Sequence, residues 1–223
     1  MPARPTDASE NGNRLLWLLL PPADEYLRRR GDLVRAGLAA VGLGVTASLS
    51  LGNHVSGFER EVFTLINGLP DAASPVLWTV MQVGSFAAVF VAAGLALAAR
   101  RPRLAVALAT GGTATWFLAK GVKLIVERER PAAILHDVII RGPAQSGLGF
   151  PSGHAAVAAT IVTIAAPYLT PRARLAGWVI VWSVALARVF IGAHLPWDAV
   201  GGVFLGWGVG SLVNLIVRVP ARR

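Results

Sequence analysis

Arg188-Val189-Phe190-Ile191-Gly192-Ala193-His194-Leu195-Pro196-Trp197-Asp198 places a guanidinium, an imidazole and a carboxylate at the junction of two apolar runs. Ionisable groups are expensive at a membrane boundary and are kept there where they perform chemistry. His194 and Asp198 are four residues apart. If the stretch is helical, the carboxylate reaches one ring nitrogen and leaves the other unprotonated and nucleophilic. Pro196 between them leaves the local geometry open. Asp198 is also the one acid of the chain's 12 expected inside or at the start of an apolar span.

Two further blocks precede this one. Pro151-Ser152-Gly153-His154 follows the Gly-rich approach Gly147-Leu148-Gly149-Phe150 and opens an apolar helix. Ser152 is the expected N-cap. The free N–H groups of that helix start, with Gly153 allowing close approach, make an anion site beside His154. Lys123 and Arg130 are seven apart, two helical turns, so they are expected on one face of a helix that Pro131 stops. An ammonium and a forked guanidinium there would clamp a tetrahedral oxyanion. Taken alone, Lys123 could equally snorkel while Arg130 pairs with Glu127 or Glu129. His154 alone could be incidental to a capped helix.

Composition supplies the setting. Of 223 residues, 54% are hydrophobic and 15% charged, with a mean hydropathy of +0.58. Those are the values of an integral membrane protein. Cysteine is absent, which excludes disulfides and thiolate metal sites. The net charge of +9 does not point to nucleic acid, because the cations cluster between apolar runs rather than along a basic stripe with aromatics. Residues 1–33 are polar apart from Leu15 to Leu20, and read as an N-terminal tail without a cleavable leader.

Six apolar segments are expected at roughly 34–52, 74–99, 103–126, 153–170, 174–192 and 198–218, given the ~20 helical residues a bilayer requires. Together they make one all-α membrane domain over 34–220. The fourth is short enough to begin in a re-entrant or buried turn. Residues 58–69 alternate charge and apolar side chains at helical spacing, an interfacial helix. The run from Arg14 to Arg30 reads equally as a surface-lying helix or a polar tail. Gly202, Gly206 and Gly210 form a ridge of small residues for close helix packing, within one molecule or between two, so a homodimer is open.

The cations also set an orientation. Fourteen Arg residues fall before the first segment, between the second and third, between the fourth and fifth, and after the sixth. The opposite side holds four, Arg60, Arg128, Arg130 and Arg141. Cationic loops stay in the cytoplasm. Both termini are therefore expected there, in the plasma membrane, with the three blocks together on the outer face.

In order and spacing the three blocks resemble the type-2 phosphatidic acid phosphatase superfamily, membrane lipid phosphate phosphatases that share a helical core with vanadium haloperoxidases. The family pattern is Lys, six residues, Arg-Pro; then Pro-Ser-Gly-His; then Ser-Arg, five residues, His, three residues, Asp. Every spacing is matched over about residues 60–215, and Ala187 stands where Ser is usual. The resemblance implies that His194 attacks phosphorus to form a phosphohistidine and that Asp198 orients it. His154 is implied as acid and then base, with Lys123, Arg130, Ser152, Gly153 and Arg188 holding the phosphate. No carboxylate pair is set to hold Mg²⁺, so neither metal nor cofactor is expected. His54 reads as solvated; His136 and Asp137 lie in the loop between the first two blocks, where contact with substrate is left open.

The substrate expected is a lipid phosphate or diphosphate. Undecaprenyl diphosphate, recycled outside the cell for wall synthesis, leads. Phosphatidylglycerol phosphate and phosphatidate are the alternatives from phospholipid metabolism. A transporter using the same pocket without hydrolysis is the alternative of another class. A haloperoxidase fits less well, since those are soluble.

Overall fold

The computed structural model describes residues 18, 19, 25–143 and 145–221. A two-residue strand, β1 (Tyr26–Leu27), precedes α1 (Arg30–Ser50) and α2 (Gly57–Asn67). Then come α3 (Ser74–Met81), α4 (Phe86–Ala98), α5 (Pro102–Val126) and the single turn α6 (Pro131–Ile134). After a long loop follow α7 (Gly153–Ala165), α8 (Pro171–Phe190), α9 (Pro196–Val217) and β2 (Val219–Pro220). β1 and β2 pair antiparallel, Tyr26 with Pro220, and so tie the start of the described chain to its end. Of the segment 14–30, residues 14–17 and 20–24 lie outside the described residues.

Each of the six apolar segments is helical, but they are not six equal spans. Among the described residues three helices are long and apolar enough to cross a membrane: α1 with its following turn, α8 and α9. The segment at 74–99 is broken. α3 runs into a 3-10 turn at Gln82–Gly84 and α4 leaves at 68°; counted as one span, the pair makes a fourth. α5 has 25 residues but carries Arg103, Lys120 and Lys123, and α7 has only 13. α1 also begins earlier than the pattern predicts, so buried Asp32 sits in its first turn and Asp198 is not the one acid at a span start.

α7 is the centre of the molecule. Seven of its residues, Ala155, Ala156, Val157, Ala158, Ala159, Thr160 and Ile164, are fully buried, enclosed by α5, α8 and α9. The ridge of small residues on α9 is consumed inside the monomer. A Cβ on Gly202 would meet the Ser152 carbonyl, one on Gly206 the Ala156 carbonyl, and one on Gly210 the Thr163 side chain. Outward-facing Leu, Val and Phe residues, among them Leu38, Val41, Phe90, Val91, Leu95 and Leu124, are more than half or nearly two-thirds exposed. An apolar surface of that extent needs a partner, and lipid is the one its helical belt fits.

Candidate active site

The three blocks converge at one end of the bundle. The end of α5, the start of α7, the end of α8 and the start of α9 surround a cavity of about 230 Å³. Its wall includes Lys123, Arg130, Gly153, His154, Arg188 and His194. The break between α3 and α4 helps to build it. Gly84, in the break, touches the His154 backbone so closely that a Cβ there would overlap the carbonyl.

Lys123 and Arg130 reach the cavity by a different route from the expected one. Helix α5 ends at Val126, and Glu127 takes a left-handed conformation (φ 52°) whose N–H caps the Lys123 carbonyl. Arg130 is therefore not two turns up the same helix. It is the extended residue before Pro131, which starts α6 rather than ending α5. Nor does it pair with a neighbouring glutamate. Its Nε donates to the Ser146 and Gly147 carbonyls, both at 3.0 Å, and its Nη1 to the Ala193 carbonyl at 2.8 Å. Lys123 Nζ donates to the carbonyls of Leu148 (2.6 Å) and Gly149 (2.7 Å). The two cations thus pin the Gly-rich approach to the cavity, while burial lowers the pKa of Arg130.

Ser152 occupies the N-cap position of α7, but its hydroxyl makes no capping bond. Its Oγ is buried and has no hydrogen-bond partner among the described residues; the same holds for Arg188 Nε. Buried donors left unmet are rare; Arg188 lines the cavity with Gly153 and His154 at the start of α7, whereas Ser152 stands behind its wall. That set of donors matches the oxygens of a phosphoryl group. Arg188 is fixed by Nη1 to Met81 Sδ (3.1 Å) and Nη2 to Gln145 Oε1 (3.3 Å).

His194 lies in the linker between α8 and α9, not on a helix, which Pro196 starts at the following turn. Its Nδ1 is 3.6 Å from Asp198 Oδ2, close but too long for a hydrogen bond. Burial, then the charges of Arg188, Lys123 and Arg130, lowers its pKa well below that of a free imidazole. A neutral ring facing cations is the form a nucleophile requires. Asp198 Oδ2 accepts from the Leu195 N–H at 2.9 Å, half of a capping box. Gly149 passes so near that a Cβ would stand 2.9 Å from this oxygen.

Sequence reasoning missed the group behind Asp198. Arg128, counted above as a loop cation, is completely buried. Its Nη1 donates to Asp198 Oδ1 (3.0 Å), Glu59 Oε1 (3.0 Å) and Ser50 Oγ (3.1 Å). Its Nη2 donates to Glu59 Oε2 (2.7 Å) and the His54 carbonyl (2.9 Å). Glu59 is equally buried, although the helix carrying it reads as interfacial. The only hint in the sequence is the Glu127-Arg128-Glu129-Arg130 alternation beside Pro131. His54, His136 and Asp137 are exposed, and none lines the cavity. Among the described residues no group of three or more His, Asp or Glu is arranged to hold a metal ion.

Comparison with known proteins identifies the family and the fold. The model of the PAP2 superfamily matches residues 102–221, which contain all three blocks. No curated protein matches the chain by sequence. Among solved structures, LpxE of Aquifex aeolicus superposes with a TM-score of 0.62 at 20% identity, covering 73% of this chain and 98% of its own. A PAP2-type phosphatidylglycerolphosphate phosphatase from Bacillus subtilis gives 0.63 at 18%, covering 81% and 94%. At such identities the likeness is one of fold. With the family model spanning more than half its length, the chain belongs to the PAP2 superfamily, whose members are phosphatases.

Proposed function

We propose that the protein is a membrane lipid phosphate phosphatase working through a phosphohistidine. The observation that carries this reading is the meeting, in one cavity, of a neutral buried imidazole backed by a carboxylate with a second imidazole and three phosphate-matching cations. His194 Nε2 attacks phosphorus as the bond to the lipid oxygen breaks; His154, which the anionic substrate must bring to its protonated form against burial and the charges of Arg188 and Arg130, delivers its proton to that oxygen. Water then attacks phosphorus and gives a proton to His154, the bond from phosphorus to His194 Nε2 breaks with its electron pair returning to the ring, and inorganic phosphate leaves. Lys123, Arg130, Arg188, Ser152 Oγ and the Gly153 N–H bind the equatorial oxygens and stabilise their charge. Both buried carboxylates near the site, Asp198 and Glu59, are engaged by Arg128, so the reaction proceeds without a metal. Turnover should survive EDTA, and vanadate should compete with substrate. A loss in EDTA that Mg²⁺ restores would overturn metal independence.

The substrate we infer is a lipid diphosphate, with undecaprenyl diphosphate the leading case. Support comes from Lys120, a fourth cation in the cavity wall that lies outside the three blocks. It stands one turn before Lys123, its ammonium 5.5 Å from the Trp116 ring centre and 5.6 Å from that of Phe117. With the terminal phosphate in the cradle, Lys120 meets the inner phosphate and the aromatic pair the start of the chain. The competing reading, a phospholipid monophosphate, draws on the name of the Bacillus subtilis protein of similar fold. Phosphate release from farnesyl diphosphate, farnesyl phosphate and dioctanoyl phosphatidate by purified protein separates the two. A preference for the monophosphates would sink the diphosphate reading.

Hydrolysis is distinguished from transport by His154→Ala. It keeps the cationic cradle but removes the proton donor. Lipid phosphate binding should persist while turnover falls by roughly 10²–10⁴-fold. Binding without any release by the wild type would favour a transporter.

A further inference from the structure

The buried Arg128–Glu59 pair does not line the cavity, yet it holds the carboxylate behind His194. Resting on the phosphohistidine reading, we propose that Arg128 and Glu59 are positioning residues. They fix Asp198 so that one oxygen is tied to Arg128 while the other stays turned to His194, and neither of them touches substrate.

Geometry carries the first part. The two oxygens of Asp198 are tethered differently. Oδ1 meets Arg128 Nη1, whereas Oδ2 meets the Leu195 N–H and faces His194 Nδ1. Rotation of the carboxylate would break both tethers at once. The guanidinium plane is itself fixed from three directions: Ser50 at the end of α1, His54 in the following loop, and the two-pronged contact with Glu59 on α2. Glu59 Oε1 also accepts the Trp197 N–H at 3.0 Å. The same carboxylate therefore holds Arg128 and the backbone next to Asp198.

Charge carries the second part. A guanidinium paired with Asp198 alone would draw the carboxylate's charge away from the imidazole. Glu59 shares that guanidinium. One cation then faces two carboxylates, and the group keeps one net negative charge to direct at His194. That charge is needed when Nε2 bonds to phosphorus, because the ring then becomes cationic. Stability does not account for such an arrangement. A fully buried ion pair gains little over apolar side chains of the same volume.

The test uses full-length protein in detergent, with farnesyl diphosphate as substrate and vanadate as the probe of the phosphate cradle. Arg128→Lys keeps the charge but loses the fork, and Glu59→Gln keeps the shape but loses the charge. Both should lower kcat by up to about 100-fold, the size of effect a small misplacement produces. KM and vanadate inhibition should stay as in wild type. Arg128→Lys combined with Asp198→Asn should be no slower than Asp198→Asn alone. Unchanged kcat in both single variants, a raised KM at constant kcat, or additive losses would each overturn the proposal.

Two controls keep it decidable. Should a single variant fail to fold, the paired Arg128→Met, Glu59→Gln replacement removes the ion pair without stranding either charge. A folded paired variant with wild-type kcat also overturns it. His194→Ala and Asp198→Asn test the underlying reading separately. Wild-type turnover there would refute the phosphohistidine route itself, whereas loss there with unaffected Arg128 and Glu59 variants would refute only the positioning role.

Discussion

At the residue scale the site combines groups with quite different requirements. His194 is 2% exposed and has no hydrogen bond to Nδ1 among the described residues, so its orientation rests on the 3.6 Å approach of Asp198 and on the packing of its linker. His194→Ala should abolish phosphate release while the protein still melts as one folded species in detergent. Asp198→Asn should reduce kcat severely. Lys120 makes a finer test, because it lies in the cavity wall but outside the cradle. Lys120→Gln should reduce kcat/KM for farnesyl diphosphate by about tenfold, the worth of ~1.4 kcal/mol from one charged contact. For farnesyl phosphate the change should be small. Equal losses on both substrates would assign Lys120 to general attraction of anions instead.

What could be read from the residues divides along a physical line. The three blocks were legible as spaced motifs, and His154, His194, Arg188, Lys123, Arg130 and Gly153 line one cavity, while Ser152 and Asp198 stand behind its wall. How they get there was less legible. The seven-residue spacing of Lys123 and Arg130 fits two helical turns, but a left-handed Glu127 ends α5 first and the chain reaches the same place by an extended step. The pairing of Arg128 with Glu59 was not legible beyond the charge alternation around Arg128. They are 69 residues apart, and a buried ion pair leaves no periodic trace in either segment. Glu59 even sits where an amphipathic pattern predicts a solvated face.

At the element scale α7 and α9 form the scaffold, and their contact explains the precision available to the site. His154 lies in the first turn of α7 and Asp198 in the first turn of α9, while the Ser152 N–H donates to the Asp198 carbonyl at 2.8 Å. Below that bond the helices touch backbone to backbone at Gly202 and Gly206. A methyl group at Gly206 has no room beside the Ala156 carbonyl. Gly206→Ala should destabilise the protein by about 1–3 kcal/mol, as overpacking does, lowering Tm in detergent and turnover with it. Gly94 on α4 has nothing within 4 Å of its would-be Cβ. Gly94→Ala should keep or raise Tm, because alanine favours the helix. A Gly206→Ala variant as stable as Gly94→Ala would mean that α7 and α9 separate easily, and the packing argument would fail.

Across the whole molecule the question is which face of the membrane receives the substrate. The four cations assigned to the active-site end are not four equivalent loop charges. Arg128 is fully buried, and Arg130 lines the cavity. Arg141 is tied to Asp71 at 2.7 Å and to the carbonyls of Asn67, Leu69 and Phe190. Arg60 alone stays exposed on the outside of that end. At the other end Arg28, Arg30, Arg35, Arg100, Arg103 and Arg172 are all exposed or partly so. Among the described residues, with Lys120 exposed at the cavity end as well, the solvent-open cations still lie mostly at the opposite end, and it is solvent-facing charge near span ends that resists translocation. Asp137 is exposed in the loop at the active-site end, and Arg172 at the opposite end on the first turn of α8. The chain has no cysteine, so Asp137→Cys and Arg172→Cys each carry one thiol on a silent background. In intact cells a membrane-impermeant maleimide should label Asp137→Cys and leave Arg172→Cys unlabelled until the membrane is opened. The reverse pattern would put the histidines on the cytoplasmic face, and a lipid made inside the cell would replace an externally released diphosphate as the substrate.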